Sequence, residues 1–185
     1  MAKVRKLKRI RLLVAVLLIY AAVLNIPNLL KLLYPIEHKE IIIKYGQMHK
    51  VDPLLLAALI KTESNFEPRA ESRKGAKGLM QITPSTGEWI AKTIGVNDFN
   101  EDMLFDPETN IMLGSWYIEH LTNYYNGIFE LVFAAYNGGR GNVDKWLKDK
   151  NLSSDGITLD TIPFSETKNY LEKLRKNYNI YKIIY

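Results

Sequence analysis

The sequence predicts an all-α protein, with one N-terminal apolar helix followed by a single helical domain. Three observations lead there. The first 33 residues join a basic start to a long apolar run. Apolar residues then recur at three- and four-residue spacing through most of the chain, the period of a helix face. The pairs Asp52-Pro53 and Asp106-Pro107 supply an N-cap acceptor followed by a proline whose missing N–H is not needed there, a helix-start signal. No stretch alternates apolar and polar residues long enough to suggest a sheet.

The N-terminal segment reads as a transmembrane signal anchor at 12–33 behind a basic cytoplasmic tail at 1–11. From Leu12 to Leu24 the only polar group is the Tyr20 hydroxyl. The stretch between Arg11 and Lys31, as a helix, would span about 28 Å, close to the ~30 Å of a bilayer's hydrocarbon core. Lys3, Arg5, Lys6, Lys8, Arg9 and Arg11 precede it, so the N-terminus is expected inside the cytoplasmic membrane and the remainder outside, in a single pass. A cleaved leader would want small residues after the apolar run; Ala21 and Ala22 are instead followed by Val23, Leu24 and Asn25.

The domain is expected over 36–185. Residues 36–50 read as an amphipathic helix turning Ile42, Tyr45 and either Met48 or His49 inward. The helix opened by Pro53 aligns Leu55, Leu56, Leu59, Ile60 and Glu63 on one side. Residues 65–78 form a polar, glycine-punctuated loop in which Pro68 blocks helix. Pro84 opens a helix that ends with Ile94 before Gly95. The next runs from Pro107 to about Tyr125, and a short apolar one from Phe129 to Tyr136 stops at Asn137-Gly138-Gly139. A further turn or two is expected over 143–147, then an irregular stretch at 150–161. A last helix starts near Ser165 and carries Tyr170, Leu171, Leu174 and Tyr178.

Composition excludes several function classes. The formal charge of +5 invites a nucleic-acid reading, but six of the 25 basic residues lie in the first eleven positions, leaving 19 against 20 acidic ones. A near-neutral body lacks the electrostatic footprint of a nucleic-acid binder. With no cysteine there is no disulfide, thiolate metal site or cysteine nucleophile. His38, His49 and His120 are too scattered for a metal site, so neither metal nor organic cofactor is expected.

Glu63 is the residue whose placement asks for an explanation. On the helix pattern alone a solvated charge is its ordinary role, but a carboxylate on the leucine side of a helix is also in the setting that keeps an acid protonated near neutral pH, as cleavage of a glycosidic bond requires. The nearest other carboxylates, Glu67 and Glu71, lie in the polar loop, where solvation is the ordinary role.

Three ordered segments extend this reading. ALIKTESNFEPRAESRKGAKGLMQITPSTG (58–87), AAYNGG (134–139) and IPFSETKNYLEKL (162–174) together resemble the soluble lytic transglycosylase (SLT) family of the lysozyme-like superfamily. The resemblance covers roughly 40–181. It rests on a Glu-Ser pair, a Ser-x-x-Gly-Ala-x-Gly-Leu-Met-Gln run, an Ala-Tyr-Asn turn and an Ile-Pro-x-x-Glu-Thr-x-x-Tyr run.

The resemblance implies a goose-type, SLT-like helical fold and an extracytoplasmic enzyme that cleaves the β-1,4 bond between N-acetylmuramic acid and N-acetylglucosamine. Glu63 would act first as acid and then as base on the C6 hydroxyl, leaving 1,6-anhydromuramoyl ends, with Tyr136 approaching and orienting it. Ser72, Gly78, Met80, Gln81, Asn137, Glu166 and Tyr170 would bind substrate. Gly138 departs from the family's usual alanine without removing a functional group. The implied partners are peptidoglycan strands and the membrane. Two alternatives are a goose-type lysozyme, which would need a further carboxylate to position water, and a non-catalytic peptidoglycan-binding or scaffold module.

Overall fold

A computed structural model describes residues 2–185, with side chains from Arg11 onward; the basic side chains before Arg11 in the expected tail lie outside the described residues. Among the described residues eight α-helices follow one another: α1 Ala2–Leu33, α2 Lys39–Met48, α3 Pro53–Glu63, α4 Pro84–Ile94, α5 Pro107–Tyr124, α6 Phe129–Gly138, α7 Arg140–Lys148 and α8 Ser165–Ile184. A 3₁₀ turn, Glu101–Phe105, precedes α5. Among the described residues there is no strand, only isolated bridges from Glu71 to Lys77 and from Lys77 to Ile82. The all-α expectation holds. The chain divides into two compact units, residues 1–35 with 183–185, and residues 36–182.

In the first unit, Arg11–Leu33 is long and apolar enough to cross a membrane. Its 23 residues amount to about 34 Å of helix, and apart from the half-buried Leu30 its side chains are exposed, Leu12 at 66% and Leu18 at 66%. Pro27 lies inside the helix, and Asn25 Nδ2 donates to the Ala21 carbonyl one turn back, 2.8 Å.

In the second unit the core is wrapped around α3. Leu56, Ala57, Ala58, Leu59 and Ile60 are fully buried in succession, as expected of a helix surrounded on all sides rather than of a surface helix with one apolar stripe. Leu55, expected inward, is half-buried, and Met48 is 59% exposed. His49 is instead bonded through Nδ1 to Glu119, 2.7 Å. The same core takes in Ile111, Leu113, Ile118 and Leu121 of α5, Leu131 to Ala135 of α6, and Leu171 and Leu174 of α8, all buried. Each fully buried leucine or isoleucine contributes about 1.5–3 kcal/mol relative to exposure.

The proline-marked starts are capped as their residue types demand. Asp52 accepts from Leu54 N, Thr83 from Thr86 N and Asp106 from Thr109 N. α7 departs from expectation: it starts at Arg140 and runs nine residues. Gly139, at φ 87, ends α6 and begins α7 at once, so the helix starts three residues before the turn expected over 143–147.

Candidate active site

α3 delivers Glu63 at its last turn, and the loop after it folds back over the same end. Ser64 closes the helix, its Oγ donating 2.8 Å to the Leu79 carbonyl fifteen residues on. Asn65 and Phe66 both take left-handed backbone angles, φ 54 and 66, a strained conformation for a buried phenylalanine and of the kind that gathers at functional sites. Ser72 then builds a tight turn, its N–H donating to the Ala76 carbonyl and its hydroxyl accepting from Ala76 N, at 2.9 and 3.0 Å.

One buried side chain staples this loop to the core. Asn110 of α5, fully buried, accepts from Met80 N at 2.7 Å and donates to the carbonyls of Lys77 at 3.0 Å and Leu104 at 2.7 Å. Gly78 passes so close that a Cβ there would lie 2.0 Å from the Leu104 carbonyl oxygen and 2.3 Å from Asn110 Nδ2, and its φ is +75. Only glycine fits.

The outcome is a cleft of about 420 Å³ lined by Glu63, Ser72, Gln81, Tyr136, Asn137 and Glu166, together with Arg73, Lys74, Ala76 and Thr83. Six of the nine residues singled out in the sequence meet there. Met80, expected to line it, does not: its side chain is fully buried against Gly114, where a Cβ would come within 2.3 Å of its sulfur. Gly78 sits behind the wall, and Tyr170 is a buried residue beneath the cleft. Glu166 is exposed and paired with Lys74 at 3.2 Å, while Asn137 Oδ1 accepts from the buried Thr167 hydroxyl at 2.9 Å. Gly138 adjoins that contact. An alanine Cβ there would lie 3.1 Å from Thr167 Oγ1.

A slightly larger hollow, about 440 Å³, lies among Tyr124, Tyr125, Asp144, Leu147 and Ile157. Its acid, Asp144, is occupied by the hydroxyls of Tyr124 and Tyr125, so no free carboxyl lines it.

Electrostatics sets Glu63 apart. Burial pushes its carboxyl up from 4.5 to about 7, against the pull of the Tyr170 hydroxyl and the Lys173 cation. Its place at the negative end of the α3 dipole acts in the same direction as burial. No acidic neighbour contributes to the shift. The Tyr170 hydroxyl is buried without a hydrogen bond of ordinary geometry, yet lies close enough to the carboxyl to stabilise its ionised form. The expected contact of the Tyr136 hydroxyl to Glu63 takes a different form: it donates to the Met80 carbonyl at 2.7 Å. Burial, and then the nearby Glu63 charge, hold this phenol well above its ordinary range, as a neutral donor.

The sequence reading missed the face of α8 that grips the end of α3. Lys173 Nζ donates 2.7 Å to the Thr62 carbonyl, and Asn177 Nδ2 donates 2.9 Å to Thr62 Oγ1. With Tyr170 they form one stripe at three- and four-residue spacing. Replacing Lys173 by methionine should therefore move the upper pH limit of activity to higher pH, because the cation that favours ionised Glu63 is gone, whereas Lys173→Arg should leave it in place. A pH–rate profile that does not move in Lys173→Met would show that the lysine only braces Thr62.

The family model described as the transglycosylase SLT domain matches residues 40–156, well over half of the chain. The chain belongs to this family. The IPFSETKNYLEKL segment lies beyond the matched residues and stands on its own likeness. Among curated relatives of this SLT domain, the soluble lytic murein transglycosylase of Escherichia coli K12 is 30% identical over 143 residues, covering 76% of this chain and 22% of the relative. The membrane-bound lytic murein transglycosylase C of Sodalis glossinidius is 36% identical, covering 73% of this chain and 44% of the relative. The chain thus spans less than half the length of these relatives.

Solved structures agree on the fold. An inactive glutamate-to-glutamine mutant of lytic transglycosylase Slt from Pseudomonas aeruginosa matches with a TM-score of 0.72 at 29% identity, over 83% of this chain and 25% of that one. The 70-kDa soluble lytic transglycosylase in complex with bulgecin A matches at 0.72 and 27% identity, over 81% and 25%.

Proposed function

We propose that this SLT domain is a peptidoglycan lytic transglycosylase held at the cytoplasmic membrane by α1, with Glu63 as its single acid/base. One observation carries the reading: a cleft-lining carboxyl raised to about 7 by burial, with no second carboxylate among the causes of its shift. A group titrating near neutrality can give a proton to the leaving glycosidic oxygen and then accept one. A hydrolase of goose type needs another carboxylate to activate water. Glu166, the other acid of the cleft, is exposed and paired with Lys74. Among the described residues no further acid lines the cleft. This favours intramolecular attack by the C6 hydroxyl of N-acetylmuramic acid, which gains through proximity what a second catalytic group would supply.

In this reading Tyr136 and Asn110 fix the loop through Met80, and Ser72, Gln81 and Asn137 offer polar contacts to the glycan. The membrane association rests on the apolar span of α1, and the basic residues before it favour an inside N-terminus.

The full chain in detergent should clarify a suspension of purified sacculi and release soluble muropeptides, while a tag after Tyr185 on intact cells should be open to external protease. Sacculi left intact under conditions where the protein is folded would contradict the activity, and a protected tag would contradict the topology.

A further inference from the structure

Residues 183–185 belong to the same compact unit as α1, although they stand at the other end of the sequence. Ile183 and Ile184 are the last residues of α8, and Tyr185 follows them.

Two contacts place this turn at the end of the apolar span. The Tyr185 hydroxyl donates to the Tyr34 carbonyl at 3.1 Å, and Lys31 Nζ lies over the Tyr185 ring, 5.1 Å from its centroid. Tyr34 directly follows Leu33, where the span Arg11–Leu33 ends. At 1.5 Å per residue Lys31 and Tyr34 lie within about 5 Å of each other along the axis, at the level where hydrocarbon gives way to headgroups. Tyrosine and lysine are suited to that depth, each with an apolar body and a polar tip that reaches water. A lysine among Leu29, Leu30, Leu32 and Leu33 is costly in hydrocarbon, and the tyrosine ring supplies its cation with a partner.

Ile183 adds an apolar face. It is 76% exposed, as open as Leu32 of the span at 77%, whereas its neighbour Ile184 is buried. A single exposed isoleucine is ordinary on a protein surface. One in a turn that packs on the end of a membrane span shares the surroundings of that span.

We infer that the turn Ile183–Tyr185 is a second membrane contact, seated in the headgroup layer at the Leu33 end of α1 with Ile183 turned to lipid. The inference rests on the reading of α1 as a membrane span. Its partner is the bilayer itself, because the open face is apolar and adjoins the exposed leucines of that span. The helical domain is then joined to the membrane at both of its ends in the sequence, and the helix that carries Glu166, Tyr170 and Lys173 is the one that ends there.

The sequence has no cysteine, so a single thiol can be introduced as a probe. Ile183→Cys, Ala22→Cys in the middle of the span and Ser154→Cys at an exposed loop position would each carry an NBD fluorophore on the full chain in phosphatidylcholine vesicles. Lipids with a nitroxide on the headgroup should quench the label at 183 severalfold more than the label at 154. Lipids with a nitroxide deep in the acyl chain should quench the label at 22 most. Emission at 183 should lie to the blue of emission at 154. Without the dye, the thiol at 183 should react severalfold more slowly than that at 154 with a charged methanethiosulfonate, because apolar surroundings disfavour the thiolate.

Quenching at 183 no stronger than at 154, or thiols that react equally fast, would overturn the inference. So would a blue-shifted label at 183 that neither nitroxide reaches, since it would be packed on protein. The label at 22 separates the two readings. Quenching there without quenching at 183 keeps the span and loses only the second contact; the reverse removes the span and keeps a surface contact.

Discussion

Glu63→Gln is expected to abolish glycan cleavage while leaving the domain folded and its cleft intact. The amide keeps the shape of the carboxyl but cannot deliver a proton to the leaving oxygen. A positioned acid or base contributes typically ~10²–10⁴-fold, and Glu63 is proposed to serve in both roles, so a loss of about 10⁴-fold or more is expected in the rate of muropeptide release. Stability should move the other way. The carboxyl rises from 4.5 to about 7 on folding, so its contribution is fully present below pH 4.5 and is lost as pH rises through 7. Over that window the parent loses at most roughly 3 kcal/mol, less because the carboxyl opens on a cleft. The glutamine variant has nothing to ionise. Thermal unfolding should find the two proteins alike at pH 4 and the variant more stable at pH 8. A variant that cleaves at near-parental rate would remove Glu63 from the chemistry, and one that unfolds would make it a structural carboxyl.

The largest structural effect is expected from Gly78→Ala. Its Cβ would meet a backbone oxygen at 2.0 Å and the Asn110 amide at 2.3 Å, with φ at +75. Left-handed strain of about 1–2 kcal/mol and overpacking of about 1–3 kcal/mol act together. In a chain of this size that corresponds to a fall in Tm of roughly 5–20 °C. Activity should fall as well, because Gln81 Nε2 donates to the Gly78 carbonyl at 2.9 Å and Tyr136 to the Met80 carbonyl at 2.7 Å. Gly75→Ala separates strain from crowding. Its φ is +76 but nothing lies within 4 Å of the added carbon, so it should lose only the strain. Equal effects of the two substitutions would show that the contact with Asn110 and Leu104 is unimportant.

The helices legible in the sequence are those that announce themselves locally. Asp52-Pro53 and Asp106-Pro107 carry both the cap and the fixed φ of a helix start, and the observed caps are those side chains. The 3₁₀ turn at Glu101–Phe105 and the true start of α7 were not legible. The first has no period to read, and Gly139 serves two helices where its residue type signals only a stop. In the site, the motifs identified the residues of the cleft but not which of them face it. Met80 shares a run with Gln81, yet its side chain turns into the core while Gln81, at φ 49, turns out. Lys173 and Asn110 escaped for opposite reasons. A lysine on a helix reads as a solvated charge, and its bond to the Thr62 carbonyl is set by packing 111 residues away in sequence. Asn110 could have been suspected as a polar residue beside Ile111 and Leu113 at a buried helix start, but two of its three partners, Lys77 and Met80, belong to a loop whose path only the fold supplies.

The chemical identity of the new glycan ends tests the central claim most directly. Muropeptides released from sacculi by the full chain, analysed by mass spectrometry without prior reduction, should terminate in 1,6-anhydromuramic acid. That outcome follows if one carboxyl protonates the leaving oxygen and the substrate's own C6 hydroxyl closes the ring. Ends that are heavier by one water and reducible by borohydride from the first time point would show that water is the nucleophile, and would contradict a single-carboxylate transglycosylase.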